Sequence, residues 1–491
     1  MLLFLILAID IYAQTPGLNQ AAIESFVQDG QMTERELLLL KGRLRRLAVS
    51  HSRALSYAQK SPAEERAAVA FSHDHSDEEV SPNRNTEEAI NDQGGLSEYL
   101  YQGDILLTPE QALEKIQTKH KRAALPPSKV KTAKWDPERI GYYFHNNVPT
   151  MRRLQIEEAL SYYRNHTCLR FVRSWPSKVE VVLRFRMSDG CWSYVGKMSF
   201  YQADSSNQDI GFHPYCFNQF GTISHEIMHA LGFQHEHVRK DRDGYVVVNF
   251  GNVWKNDTYN YEKDGEGDYQ GFNYELGSIM HYGEQGDPFN LEKAKIYTKD
   301  YKKLLTIGNR MFPTFQDIAQ INTLYGCYDK CRNVTNSCKN GGLPHVNDCS
   351  QCECPHGFGG KFCTEIEAST KPSPTCGGIL EAKVGEEQTF TGQLNSTEYM
   401  QFMVDKCYWH IRAPVGKKVK MFVKEQNMAC TAGCPWNALE VKEGNFQMSG
   451  TRKCCTGGTS YDYYTSFDNL IVVGMFTKNG PVNATWTYRA E

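Results

Sequence analysis

The stretch HEIMHALGFQHEH, His225 to His237, holds four histidines and two glutamates in thirteen residues. His225 and His229 are four apart, so on a helix they share one face, a turn from each other. Two imidazoles placed that way can grip one metal ion. On an unbroken helix His235 would lie roughly 9 Å further along the axis, since each residue rises about 1.5 Å. A zinc–nitrogen bond is only about 2.0–2.1 Å long. His235 therefore reaches the same ion only if the chain turns sharply after His229. Gly232 stands where a helix can end with positive φ at little steric cost. HExxHxxGxxH is thus a geometric recipe: two ligands from a helix, a glycine turn, and a third ligand on the return. His237 lies outside it and reads as a local hydrogen-bonding residue.

Three neutral imidazoles leave zinc an open position for water. His225, His229 and His235 are the expected ligands. Water held there loses a proton near neutral pH and becomes a nucleophile. Glu226 follows the first histidine, so its carboxylate can approach that water without being a ligand and act as general base.

The chain has 491 residues, which suggests three or four domains. Its net charge of −3 and the absence of a long basic tract give no reason to expect nucleic acid. The longest apolar run, MLLFLILAI at residues 1–9, is too short to span a bilayer. It reads as the core of a signal peptide cut after Ala13. All sixteen cysteines lie from Cys168 onward, in even sets of four (Cys168, Cys191, Cys216, Cys327), six (Cys331 to Cys363) and six (Cys376 to Cys455). Even sets suit an oxidising compartment. Five Asn-x-Ser/Thr sequons, at Asn165, Asn256, Asn333, Asn395 and Asn483, agree with secretion and glycosylation.

Residues 14–122 contain no cysteine. A helix is expected within Ala21–Leu55 and another in PEQALEKIQ, with a mobile polar stretch, Ser72–Gln93, between them. The segment ends in KHKR, Lys119–Arg122, a candidate processing site before Ala123. Residues 123–327 have mixed α+β character, with a helix in MRRLQIEEALSYYRNHT and a strand in EVVLRFRM. Residues 328–364 pack six cysteines into a short span, so disulfides stand in for a hydrophobic core. A Pro-containing linker, Glu365–Thr375, precedes residues 376–491, which alternate apolar and polar as in a β-sandwich.

These motifs resemble the astacin metallopeptidases, a branch of the metzincins. HEIMHALGFQHEH fits HExxHxxGxxHExH, and GSIMHYG (Gly277–Gly283) fits the Met-turn and its tyrosine. YQGDI (Tyr101–Ile105) fits the Gly-Asp motif of the prosegment, and CWSYVGK and LYGC fit landmarks of the catalytic domain. The resemblance implies a multidomain chain: signal peptide 1–13, propeptide 14–122, an α+β astacin-like peptidase domain with a zinc cleft at 123–327, an EGF-like module at 328–364 and an all-β CUB-like sandwich at 376–491.

It further implies a secreted metalloendopeptidase made as a zymogen, holding one Zn2+ per subunit. In that family Tyr282 would ligate zinc at rest and swing away to stabilise the oxyanion. Met280 would form an apolar floor beneath the metal. Glu236 would pair with the new N-terminus at Ala123, and Asp104 would ligate zinc in the proenzyme only. The implied disulfides are Cys168–Cys327, Cys191–Cys216, Cys331–Cys349, Cys338–Cys352, Cys354–Cys363 and Cys376–Cys407. The pairing of Cys430, Cys434, Cys454 and Cys455 stays open. Asn437 stands where calcium-binding CUB relatives place an aspartate, so calcium is left open, as is the oligomeric state. The substrates implied are extracellular proteins, of matrix or cuticle, with partners bound through the EGF-like and CUB-like domains.

Overall fold

The computed structural model describes residues 18–28, 31–55, 86–120, 134–175, 180–198, 207–263, 270–283, 293–335, 337–371, 376–396, 402–455 and 462–491. The proposed signal peptide, Arg122 and Ala123 lie outside them.

The catalytic region is built on a five-stranded sheet of order β2-β1-β3-β5-β4. Its strands are β1 (Ile140–Phe144), β2 (Phe171–Arg173), β3 (Val182–Met187), β4 (Trp192–Ser193) and β5 (Asn207–Phe212). The β1–β2, β1–β3 and β3–β5 pairs are parallel and β4 lies antiparallel on the edge. β3 is almost wholly buried, as expected of a parallel strand covered on both faces. The helix Thr150–His166 packs Ile156, Ala159, Leu160 and Tyr163 inward at three- and four-residue spacing. Arg164 occupies its last turn, where its positive charge suits the helix dipole. The helix Phe220–Ala230 is buried at every residue, which fits its apolar sequence and places it inside the domain.

The N-terminal segment is not a loose tail. Ala21–Leu55 appears as Gln20–Ala22 running into a π turn, Ile23–Val27, followed by a separate helix, Glu34–Leu55. Thr33 and Glu36 cap the second helix reciprocally, with Thr33 N–H donating to Glu36 and Glu36 N–H donating to Thr33 Oγ1. Leu37, Leu40, Leu44 and Leu47 face a core completed by Trp192 and Tyr194 of the catalytic edge. The expectation of mobility over Ser72–Gln93 is corrected at its end. Thr86 caps a helix, Glu87–Gln93, in which Glu87, Ile90 and Asn91 are buried. Its charge disguised a helix whose Glu87 carboxylate has a buried partner in Arg310.

Residues 376–491 form a five-stranded and a four-stranded sheet, the sandwich expected from the alternation. The strand Leu470–Thr477 is buried at nearly every position and pairs antiparallel with both Asp405–Arg412 and Asn437–Lys442. In the disulfide-rich segment Leu343–His345 pairs with Asp348–Glu353, and Phe358–Gly359 with Glu365–Ile366. The disulfides join Cys168–Cys327, Cys191–Cys216, Cys331–Cys349, Cys338–Cys352, Cys354–Cys363, Cys376–Cys407, Cys430–Cys455 and Cys434–Cys454. The last two supply pairings that spacing left open. Of the sequon asparagines, Asn165, Asn256, Asn333 and Asn395 are exposed, and Asn483 is half-buried.

The C-terminal sandwich shares one hydrophobic core with the catalytic region. Phe312 lies against Phe476 and His356, with ring centroids 5.4 and 4.8 Å apart, and the Arg452 guanidinium covers its face. Ser449 N–H donates to Glu275 (3.0 Å) and Arg452 N–H to Thr306 Oγ1 (3.0 Å), so the sandwich grips both flanks of the Met-turn region. Phe312→Ala should therefore cost about 3–5 kcal/mol. Thermal unfolding followed by near-UV circular dichroism should show the two domains falling together at lower temperature. An unchanged melt, or one domain shifting alone, would count against a shared core.

Candidate active site

The buried helix Phe220–Ala230 carries His225, Glu226 and His229. Leu231 caps it, and Gly232 takes φ of 108° while its N–H donates to the His229 carbonyl at 2.8 Å. That turn returns the chain, and His235 comes back to the first two rings. Its Nε2 lies 3.2 Å from Nε2 of His229 and 3.3 Å from Nε2 of His225. Asp104, from the N-terminal segment, completes the group. Its Oδ2 is 3.1 Å from Nε2 of both His225 and His235, and its Oδ1 is 3.5 Å from Nε2 of His229. All four side chains are fully enclosed.

The donor set can be tested against zinc. His225 Nδ1 donates to the Ile279 carbonyl (2.6 Å) and His229 Nδ1 to the Phe233 carbonyl (2.7 Å). His235 Nδ1 meets the side-chain oxygen of Gln102 at 2.9 Å. A carbonyl oxygen only accepts, so each Nδ1 carries the proton and each Nε2 presents a lone pair. Lone pairs facing one another this closely repel unless a cation sits among them. Donors on a tetrahedron with bonds of about 2.0–2.1 Å lie about 3.3–3.4 Å apart, so the nitrogen spacing fits zinc. Burial, with the neighbouring rings, pushes His229 down and His235 to about 3, favouring the neutral imidazoles that a metal requires. Burial pushes Asp104 up, but the three imidazoles outweigh it and hold the carboxyl well below its usual range.

Glu226 is fully buried, and neither carboxylate oxygen has a hydrogen-bond partner. Burial, then the negative charges of Asp104 and Glu87, raise its pKa well above the ordinary value. A carboxyl in that condition is primed to hold a proton.

The Met-turn is pinned from outside. Asp317 accepts from Ser278 Oγ (2.5 Å) and from the N–H groups of Ile279 (3.1 Å) and Thr314 (2.8 Å). Ile279 in turn orients His225, and the Met280 carbonyl accepts the Glu236 N–H at 2.8 Å. Met280 is buried. The Tyr282 hydroxyl donates to the Gln102 backbone carbonyl, and its ring stacks on His237 with centroids 3.8 Å apart. His237 Nε2 donates to the Asn260 carbonyl at 3.0 Å. Glu236 accepts from Arg239 (3.0 Å) and from the Glu275 N–H (2.8 Å), and burial raises it to about 8.

Sequence reasoning passed over three residues that hold the N-terminal segment in the cleft: Glu87, Arg310 and Asn91. Glu87 receives Arg310 Nε at 2.8 and 2.9 Å, and both side chains are buried. Burial pushes Glu87 up, yet the guanidinium outweighs it and holds the carboxyl below its ordinary value. Asn91 donates to the carbonyls of Gly103 (2.8 Å) and Cys191 (2.7 Å) and accepts the Cys191 N–H (2.7 Å). Ser193 N–H donates to Asp104 O (3.1 Å) and Leu106 N–H to Ser193 O (2.9 Å), adding the segment parallel to edge strand β4. Gly103, at φ 77°, is required there. A Cβ would lie 2.7 Å from the Tyr282 hydroxyl and 2.8 Å from Glu88 Cγ. The Thr314–Asp317 capping box was open to recognition from its spacing; the distant pairs were not.

Residues 128–326 match the peptidase family described as Astacin, and residues 376–489 match the CUB domain. Zinc metalloproteinase nas-27 of Caenorhabditis elegans is 36% identical over 422 residues, covering 83% of this chain and 94% of its own length. The chain belongs to the astacin family of zinc metalloproteinases. Another relative, zinc metalloproteinase nas-28 of Caenorhabditis elegans, is 30% identical, covering 80% of each chain. Among solved structures, the hatching enzyme zinc-protease high choriolytic enzyme 1 of the medaka fish Oryzias latipes is 28% identical. It covers 42% of this chain and 99% of its own, with a TM-score of 0.35. For this astacin the converging histidines form a group that could hold the family's zinc, and the catalytic region is that of a metalloendopeptidase. Among the described residues the Asp104, His225, His229 and His235 group is the one cluster of three or more His, Cys, Asp or Glu side chains that could hold a metal ion.

Because Glu87 and Arg310 are both enclosed, removing one charge strands the other, at a cost of about 3–5 kcal/mol. Glu87→Gln should loosen the N-terminal segment, with the amides of Asp104–Leu106 exchanging hydrogen much faster than in the wild type. Unchanged exchange would show that the pair does not anchor it.

Proposed function

We propose that this chain is a secreted endopeptidase made as an inactive precursor, with Glu226 as general base and Asp104 as the residue that silences it. The observation that carries the reading is the buried, unpartnered Glu226 carboxyl beside three converging imidazoles whose fourth neighbour comes from outside the catalytic region. Zinc bound there would supply Lewis acidity to a water molecule and to the carbonyl of the scissile peptide. The chain's own residues do the rest. Glu226 takes a proton from the attacking water at a carboxylate oxygen and returns it to the departing amine. Tyr282, once its hydroxyl leaves the Gln102 carbonyl, donates to the oxyanion that develops on the scissile carbonyl. Asp104 sits against all three imidazoles, where it would take the position a zinc-bound water needs. The segment around it also occupies backbone groups of Ser193 on the sheet edge, where an extended peptide would pair.

Cleavage after Arg122 would release residues 14–122 and free the Ala123 ammonium to seek the buried Glu236. Secretion is supported by the apolar leader sequence and by the pairing of every cysteine among the described residues. No helix among the described residues is long and apolar enough to cross a membrane. The substrates proposed are extracellular proteins, of matrix or cuticle or precursors awaiting processing. The EGF-like module and CUB domain would engage partners, and the exposed sequons would carry glycans.

Glu226→Gln should keep its zinc, by metal analysis, yet lose at least about 100-fold in kcat/KM on a peptide substrate. Near-normal turnover would remove Glu226 as the base. Asp104→Ala should give an uncut precursor that hydrolyses the same peptide. A silent variant precursor, folded and zinc-loaded, would sink the proposed inhibition.

A further inference from the structure

We propose that Gln102 is a positioning residue for the third zinc ligand of the precursor: its side-chain oxygen orients His235 while its backbone carbonyl holds Tyr282 aside. The inference rests on the precursor reading above and concerns a residue two positions before Asp104.

The three ligands are not supported alike. His225 and His229 are oriented by backbone carbonyls of Ile279 and Phe233, both within the catalytic region. His235 is oriented by a side chain 133 residues earlier in the chain, which the proposed maturation removes. The partner of a ligating histidine's second nitrogen fixes the ring's tautomer and tunes its grip on the metal. Gln102 is fully buried, and its amide nitrogen has no partner. The reverse amide orientation would aim a donor at His235 Nδ1 and force the ring proton onto Nε2. That proton would face Asp104 and the other two Nε2 atoms at 3.1–3.3 Å, where the lone pair is needed. The oxygen therefore belongs on Nδ1.

The backbone supports the same assignment. Gln102 adopts φ of 49°, a left-handed conformation uncommon for a residue with a Cβ. It is followed by Gly103 at φ 77°. This tight turn brings the Gln102 carbonyl to the Tyr282 hydroxyl, its side chain to His235, and the Asp104 carboxylate to the three imidazoles. Departure of the segment thus removes three contacts together: the fourth donor, the brace on His235 and the restraint on Tyr282.

The test uses the full-length precursor carrying Gln102→Met, which keeps length but not the acceptor, or Gln102→Glu, which keeps an acceptor oxygen at the same reach. The measurements are zinc loss to a chelator, the visible absorption of the cobalt-substituted precursor, and the melting temperature. Gln102→Met should lose zinc about 10–100-fold faster than the wild type and shift the cobalt band. Gln102→Glu should restore both towards wild type. A Gln102→Met precursor with wild-type zinc loss and band would overturn the proposal. Equal impairment in both variants would also overturn it, leaving Gln102 a packing role alone. Asp104→Ala, run alongside, reports on the underlying reading separately. An unchanged cobalt band there removes Asp104 as a ligand, whereas an unchanged band in Gln102→Met alone defeats only the inference about Gln102.

Discussion

Repulsion among three imidazole lone pairs is the constraint around which this molecule is organised. Three Nε2 atoms are forced together by a helix, a glycine turn and a Met-turn, each locked by hydrogen bonds at the opposite edge of its ring. Such a cluster is unfavourable by itself and becomes favourable with a divalent cation. The surrounding fold must therefore be stiff enough to keep the rings converged. The supports visible here are backbone carbonyls, the Asp317 network behind the Met-turn, and a helix buried along its whole length.

The centre was legible in the sequence because its geometry is local. Residues four apart on a helix meet whatever surrounds them, and a glycine midway between two candidate ligands has few other uses. His225, Glu226, His229, Gly232 and His235 needed only helix arithmetic; Asp104, Met280 and Tyr282 needed a known family's pattern. Glu87 and Arg310 were invisible because 223 residues separate them and each is an ordinary charged side chain on its own. Composition also misled over Thr86–Gln93, the part of the Ser72–Gln93 stretch among the described residues. A run of acidic residues reads as solvated until a buried guanidinium is found opposite one of them. Gln102 escaped for the converse reason, since no rule of spacing marks an amide whose partner is a histidine far along the chain.

The N-terminal segment contributes more than a plug. It brings leucines that finish a core with Trp192 and Tyr194, a backbone bridge beside β4, a buried carboxylate for Arg310 and an amide for His235. These contacts span hydrophobic burial, backbone pairing and charge, so no single weak point releases the segment. Its loss would leave Arg310 without the Glu87 carboxylate and the outer edge of β4 without the bridge to Ile105.

The fused core between the catalytic region and the CUB domain has a geometric consequence. Aromatic rings at Phe220, Phe312, Phe402 and Phe476 interlock across the junction, and side chains from the sandwich reach the flanks of the Met-turn. A tethered module sweeps a volume; a welded one keeps a standing offset. Whatever macromolecule settles on the sandwich would be presented to the cleft from one direction and at one reach, so the position of the cut could be measured from the anchorage instead of being read only from the residues beside it.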